Sequence, residues 1–127
     1  MRTTPDNITE LAENEIFVFG SNLAGRHGRG AALQAYKSFG AVYGVGEGLT
    51  GRCYAFPTLD HSLKQLHEAE IVSSCLRFIR TAEMNPNLLF LLTKVGCGLA
   101  GFSESFMQSA FQRCGEMPPN VVKPEGW

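Results

Sequence analysis

The chain has 127 residues, 44% of them hydrophobic, and a formal net charge of −1. That length suits a single domain spanning residues 1–127 around one continuous core, and it is too short for two. The balanced charge excludes the basic stripe by which a protein neutralises many phosphates of a polymeric nucleic acid, so a small ligand fits better than a polymer.

Residues 1–6 carry no apolar signal region, and no apolar run approaches the ~18 residues of a membrane span. A cytoplasmic protein with no membrane partner is expected. Cys53, Cys75, Cys97 and Cys114 are widely spaced, with no Cys-x-x-Cys pair and no matching histidine spacing, so reduced thiols are expected and neither a metal nor a cofactor is called for. Twelve of the fourteen glycines fall within 20–30, 40–51 and 96–101. Such clustering marks places where the backbone bends or meets something, not a flexible linker.

The first predicted strand covers 16–21, where nearly every residue is apolar and no alternation shows, as in a central strand buried on both faces. It empties into the loop Asn22–Arg29, and a helix over 29–39 follows, closed by Gly40, with Tyr36 and Phe39 available to the core. Strand, glycine loop, helix is an order that binds phosphate. Glycines let the backbone approach a ligand, and the unpaired N–H groups opening the helix attract an anion. Gly25-x-x-Gly28-x-Gly30 is neither a Rossmann nor a Walker pattern; its place between a buried strand and a helix carries the signal. Arg26, His27 and Arg29 offer charge for one or two phosphates, with a solvated loop residue as the other reading of Arg29. Asn22 suits either a ribose hydroxyl or the turn chemistry of its own loop.

A glycine-rich passage over 40–51 leads into a second strand, 53–56, stopped by Pro57. Within it, Glu47 reads as an acceptor for ribose hydroxyls, as a general base, or as an ordinary exposed loop acid. The longest predicted helix covers 62–82: Leu63, Leu66, Ala69, Val72, Cys75, Leu76 and Ile79 recur at three- and four-residue steps, and Ser62 with Gln65 resembles a capping box. His61 and His67 lie off one helical face and read as surface residues. Residues 88–93 form a third buried strand, which feeds the second loop, Lys94–Phe102. There Gly96, Gly98 and Gly101 precede a helix over 103–114, giving a run of backbone N–H donors for a phosphate. Cys97 reads as a nucleophile or as a side chain that simply fits between glycines. Phe102 either covers a ligand or staples the helix against Met107, with Ser103 as the N-cap. Residues 120–122 add a last short strand.

This alternation predicts a three-layer α/β/α sandwich around a mixed, mostly parallel sheet. Both glycine loops follow strands directly, so both are expected at the carboxyl edge of the sheet, where such folds bind ligands. A diphosphate gripped from two sides is the implied ligand.

Residues 16–33 and 94–102 resemble the two signature loops of macrodomains, the ADP-ribose-binding modules, in the compact form found in bacterial and phage genomes. By that resemblance Asn22, with Ser21 beside it, contacts the distal ribose, and Gly25, Gly28, Gly30 and Ala31 wrap that ribose and the nearby phosphate. Gly96, Cys97, Gly98, Leu99, Ala100 and Gly101 would hold the diphosphate, with Phe102 flanking the ribose. Asp6-Asn7-Ile8-Thr9 is similar to the segment whose acid reads the adenine amino group, with Asn7 standing where the pattern has the acid and Asp6 one residue away. Arg29 stands where hydrolytic relatives carry an aspartate. The function implied is binding of ADP-ribose or a related ADP-ribose-containing nucleotide, the partner being ADP-ribose or an ADP-ribosylated substrate. The alternative is a hydrolase that removes ADP-ribose, in which Asn22 orients water or substrate and Glu47 or Lys94 serves as acid, base or nucleophile. A further alternative is a nucleotide-signal scavenger or a structural descendant that binds no ligand.

Overall fold

The computed structural model describes residues 2–127. Its elements run β1 (Glu15–Asn22), α1 (Gly30–Ser38), β2 (Gly48–Thr50), β3 (Cys53–Leu59), α2 (Glu68–Met84), β4 (Leu89–Leu92), α3 (Glu104–Gln112) and β5 (Val121–Val122). The sheet order is β2-β3-β1-β4-β5, parallel throughout except for β2, which runs antiparallel to β3. The sheet is thus mixed and mostly parallel, as the alternation of strands and helices requires.

Side chains alternate across the sheet and divide the core into two. Ile16 and Val18 of β1 face α2 and α3, packing with Tyr54, Phe56, Phe78, Phe90 and Phe111. Phe17 and Phe19 face the other way, toward Ala32, Ala35 and Phe39 at α1. One helix covers one face and two cover the other, giving three layers. Leu91, on the α1 side of β4 and 2% exposed, sits between β1 and β5. Leu91→Ala is expected to destabilise the protein by about 2–5 kcal/mol, read from denaturant midpoints; a negligible change would place β4 at a solvated edge.

Several local expectations need correction. Pro57 does not stop β3, which continues to Leu59. By the alternation of the ladder its missing N–H faces the side on which β2 has already ended at Gly48, so no bond is lost. The passage 40–51 is not all loop: its end forms β2, a three-residue edge strand too short and glycine-flanked to show a period. Tyr36 does not enter the core but lies 46% exposed, edge-on to Tyr43, whereas Phe39 is buried as expected.

Helix α2 begins at Glu68, not at residue 62. The Asp60 carboxylate accepts hydrogen bonds from the N–H groups of Ser62 and Lys64, and the Leu66 N–H donates to the Thr58 carbonyl. The segment 60–66 is therefore folded back on the end of β3, an Asx turn in competition with helix. The helix starts instead at His67, whose N–H donates to the Glu70 carboxylate at 3.2 Å, so Ser62 and Gln65 form no capping box. Its buried stripe is Ile71, Ser74, Cys75, Phe78, Ile79 and Ala82, with Leu76 left partly exposed. His61 and His67 are on the surface. Among the described residues no helix is long and apolar enough to cross a membrane.

Candidate functional site

The carboxyl ends of β1, β3 and β4 open on one cleft of about 520 Å³, within the size range of small-ligand sites. Gly20, Ser21 and Asn22 line it from the end of β1, Thr58 and Leu59 from the end of β3, and Thr93 through Gly96 from the end of β4. Both glycine loops reach it: Arg26, Gly28, Gly30 and Ala31 from the first, Gly98, Leu99 and Ala100 from the second. The end of β1 meets the second loop at the floor, where a Cβ built on Gly20 would stand 3.5 Å from the Gly96 nitrogen.

The first loop is shaped by its own amide chemistry. Asn22, the last residue of β1, donates from Nδ2 to the Arg26 carbonyl at 2.9 Å and accepts the Arg26 N–H on Oδ1 at 3.0 Å. Turn chemistry therefore occupies one donor and one acceptor of that amide. The loop then runs into α1, whose N-cap Arg29 makes no side-chain capping bond. Gly30, Ala31 and Ala32, the first turn of that helix, line the cleft, so uncapped N–H groups at its positive end face the space.

The second loop closes on itself through Cys97 N–H to the Lys94 carbonyl, Gly101 N–H to Gly98 and Phe102 N–H to Gly96. The amides of Gly98, Leu99 and Ala100 are not used in those turns. The first turn of α3 does not line the cleft, and its N-cap Ser103 accepts the Phe106 N–H on Oγ at 3.1 Å. The backbone donors on this side of the cleft therefore come from the loop and not from the helix behind it.

The cleft's charge is one-sided. Arg26, Arg29 and Lys94 line it, and among the described residues no aspartate or glutamate does. Lys94 lies 3.4 Å from Glu104; among the described residues, neither arginine has a carboxylate within ion-pair distance. Two arginines without a carboxylate partner among the described residues, beside Lys94 paired with Glu104, leave the cleft with an excess of positive charge in a chain of net charge −1.

Other residues singled out from the sequence lie elsewhere. His27 is fully buried, edge-on to Phe19 and Tyr43, with Nε2–H donating to the Val42 carbonyl at 3.1 Å and Nδ1 without a partner among the described residues. It braces the first loop against 40–51 and does not face the cleft. Gly25 does the same work on the backbone: at φ +68 its Cβ would meet the Gly44 backbone at 2.2 Å. Glu47 pairs with Arg77 of α2, outside the cleft. Cys97 is half-buried, with Sγ directed at the Val95 carbonyl at 3.6 Å; burial, aided by Glu104, raises its thiol pKa, the opposite of an activated nucleophile. Phe102 stacks on Phe106 with centroids 5.0 Å apart and packs against the core cluster that holds Met107. Gly101 turns the chain at φ +80 beside it. Asp6 and Asn7 are exposed and do not line the cleft.

Sequence reasoning missed Tyr43 and Leu63, which join Leu99 at the mouth, each partly exposed. Leu63 holds a left-handed φ of 63 within the Asp60 turn. The Asp60-His61-Ser62 run carried the turn signal; the apolar spacing overrode it.

Compared with known protein families, curated proteins and solved structures, the chain matches none of them.

Proposed function

We propose that the cleft binds ADP-ribose or a related nucleoside diphosphate, its diphosphate lying between the first turn of α1 and the second glycine loop. One observation carries this reading. Two loops rich in backbone N–H groups, distant in sequence, line a single cleft that also presents Arg26, Arg29 and Lys94 and, among the described residues, no carboxylate. The resemblance of both loops to those of macrodomains supports ADP-ribose as the first ligand to try.

Calorimetric titration with ADP-ribose, beside NAD and AMP, tests it. Arg26→Ala and Arg29→Ala are each expected to weaken ADP-ribose by about tenfold or more, since hydrogen bonds to charged groups contribute roughly 1.5–3 kcal/mol. Glu47→Ala should leave the affinity unchanged. No heat with any nucleotide would refute the reading, and a large effect of Glu47→Ala would move the ligand away from the cleft.

Binding is favoured over hydrolysis because Glu47 is held by Arg77 away from the cleft and the Cys97 thiol is disfavoured as a thiolate. Of Asn22, Glu47 and Lys94, the residues named for a hydrolase, Asn22 and Lys94 line the space. Release of ADP-ribose from a mono-ADP-ribosylated substrate, lost in Lys94→Ala, would overturn that order. A structural descendant without a ligand is separated by thermal shift: a true ligand at a hundredfold excess over its Kd adds about 2.7 kcal/mol.

A further inference from the structure

We infer that the cleft, if it holds a nucleoside diphosphate as proposed above, does so without discriminating the base, so that adenine, guanine and uracil diphosphates form one ligand class for it. The inference follows from where its hydrogen-bonding side chains are already engaged. Ser21 Oγ donates to the Gly46 carbonyl, Thr58 Oγ1 to the Ser21 carbonyl and Thr93 Oγ1 to the Val18 carbonyl. Asn22 is tied twice to the Arg26 backbone and is only 8% exposed.

The three hydroxyls have spent their protons and can only accept, and Ser21, Asn22 and Thr58 are buried; the polar side chains of the lining with most of their bonding capacity left are Arg26, Arg29, the Tyr43 hydroxyl and Lys94, which also pairs with Glu104. Cations and backbone N–H groups are donors, suited to phosphate oxygens. Bases are told apart by paired donor and acceptor patterns on their edges, read by amides, carboxylates and guanidinium forks held in place. No carboxylate lines the space among the described residues, and Asp6 and Asn7 lie outside it. What the mouth offers a planar ring is apolar area: the Tyr43 ring, Leu63 and Leu99, which are 54%, 45% and 71% exposed. Contact of that kind accepts any base, because every base has a π-face, and apolar pockets discriminate far less than hydrogen-bonded ones.

ADP-glucose, GDP-glucose and UDP-glucose, which differ only in the base, are titrated into the whole chain by calorimetry, with ADP-ribose and inorganic pyrophosphate as references. The three Kd values are expected to agree within about tenfold, the range open to apolar contact; a wider spread overturns the inference. Leu63→Gly is the companion variant, since glycine accepts a φ of 63 without strain. It should weaken all three sugars by a common factor and leave pyrophosphate unchanged. An equal loss for pyrophosphate, or a loss confined to one base, counts against the apolar mouth. ADP-ribose and ADP-glucose binding while the other two fail sinks this inference alone. Failure of every nucleotide sinks the binding reading on which it rests.

Discussion

Gly98→Val is expected to abolish the proposed ADP-ribose binding and to leave the fold intact. Gly98 lines the cleft, its φ lies outside the left-handed region, and no heavy atom stands within 4 Å of where its Cβ would be. The valine methyl groups therefore enter open space that the ligand needs and clash with nothing the fold needs. Calorimetry should show no heat with ADP-ribose, while the thermal midpoint stays within a few degrees of the parent. Unchanged affinity would remove the second loop from the site, and loss of the fold would make Gly98 a structural turn. Gly25 provides the contrast: at φ +68 and against the Gly44 backbone, a side chain there should damage folding first.

Phe78→Ala carries the largest expected effect on stability. Phe78 is fully buried on α2 and meets four rings: Tyr54, Phe56, Phe90 and Phe111. It joins α2 to β3, β4 and α3, so its loss opens a cavity at the centre of the larger core. The expected cost is about 3–5 kcal/mol, with the upper end favoured by the lost edge-to-face contacts. A domain of this kind holds roughly 5–15 kcal/mol in total, so the urea midpoint should fall by about a fifth or more. A drop of under about 1 kcal/mol would mean that the two helices do not share a packed core with the sheet.

What was legible in the sequence were the features set by local chemistry. The unbroken apolar runs at Ile16–Phe19 and Leu88–Leu92 announced buried parallel strands, and Ser103 and Gly40 marked helix ends where caps are found. The meeting of the two loops also followed from topology, because both leave parallel strands at the same edge. Less legible was whatever depended on tertiary context. Leu63 and Leu66 fit a helical spacing, yet the Asp60 carboxylate and the Thr58 carbonyl draw the chain into a turn. The long helix could be seen but not its buried face, since Leu76 and Phe78 are equally apolar and only packing against Tyr54 selects Phe78.

The candidate site divides the same way. Backbone donors were placed by glycine and strand order, whereas the fate of His27 and Glu47 depended on partners distant in sequence, Val42 and Arg77. Tyr43 gave no signal because it lies in a glycine-rich passage, and its place at the mouth comes from the edge contacts with Tyr36 and His27.

The most direct test of the central claim is the backbone amide spectrum of isotope-labelled protein titrated with ADP-ribose. Saturating shifts should concentrate in two stretches, 28–32 and 96–100, and share one dissociation constant. Shifts confined to one stretch, or a pattern centred on Glu47 and Arg77 instead, would contradict the claim that both loops hold a single diphosphate.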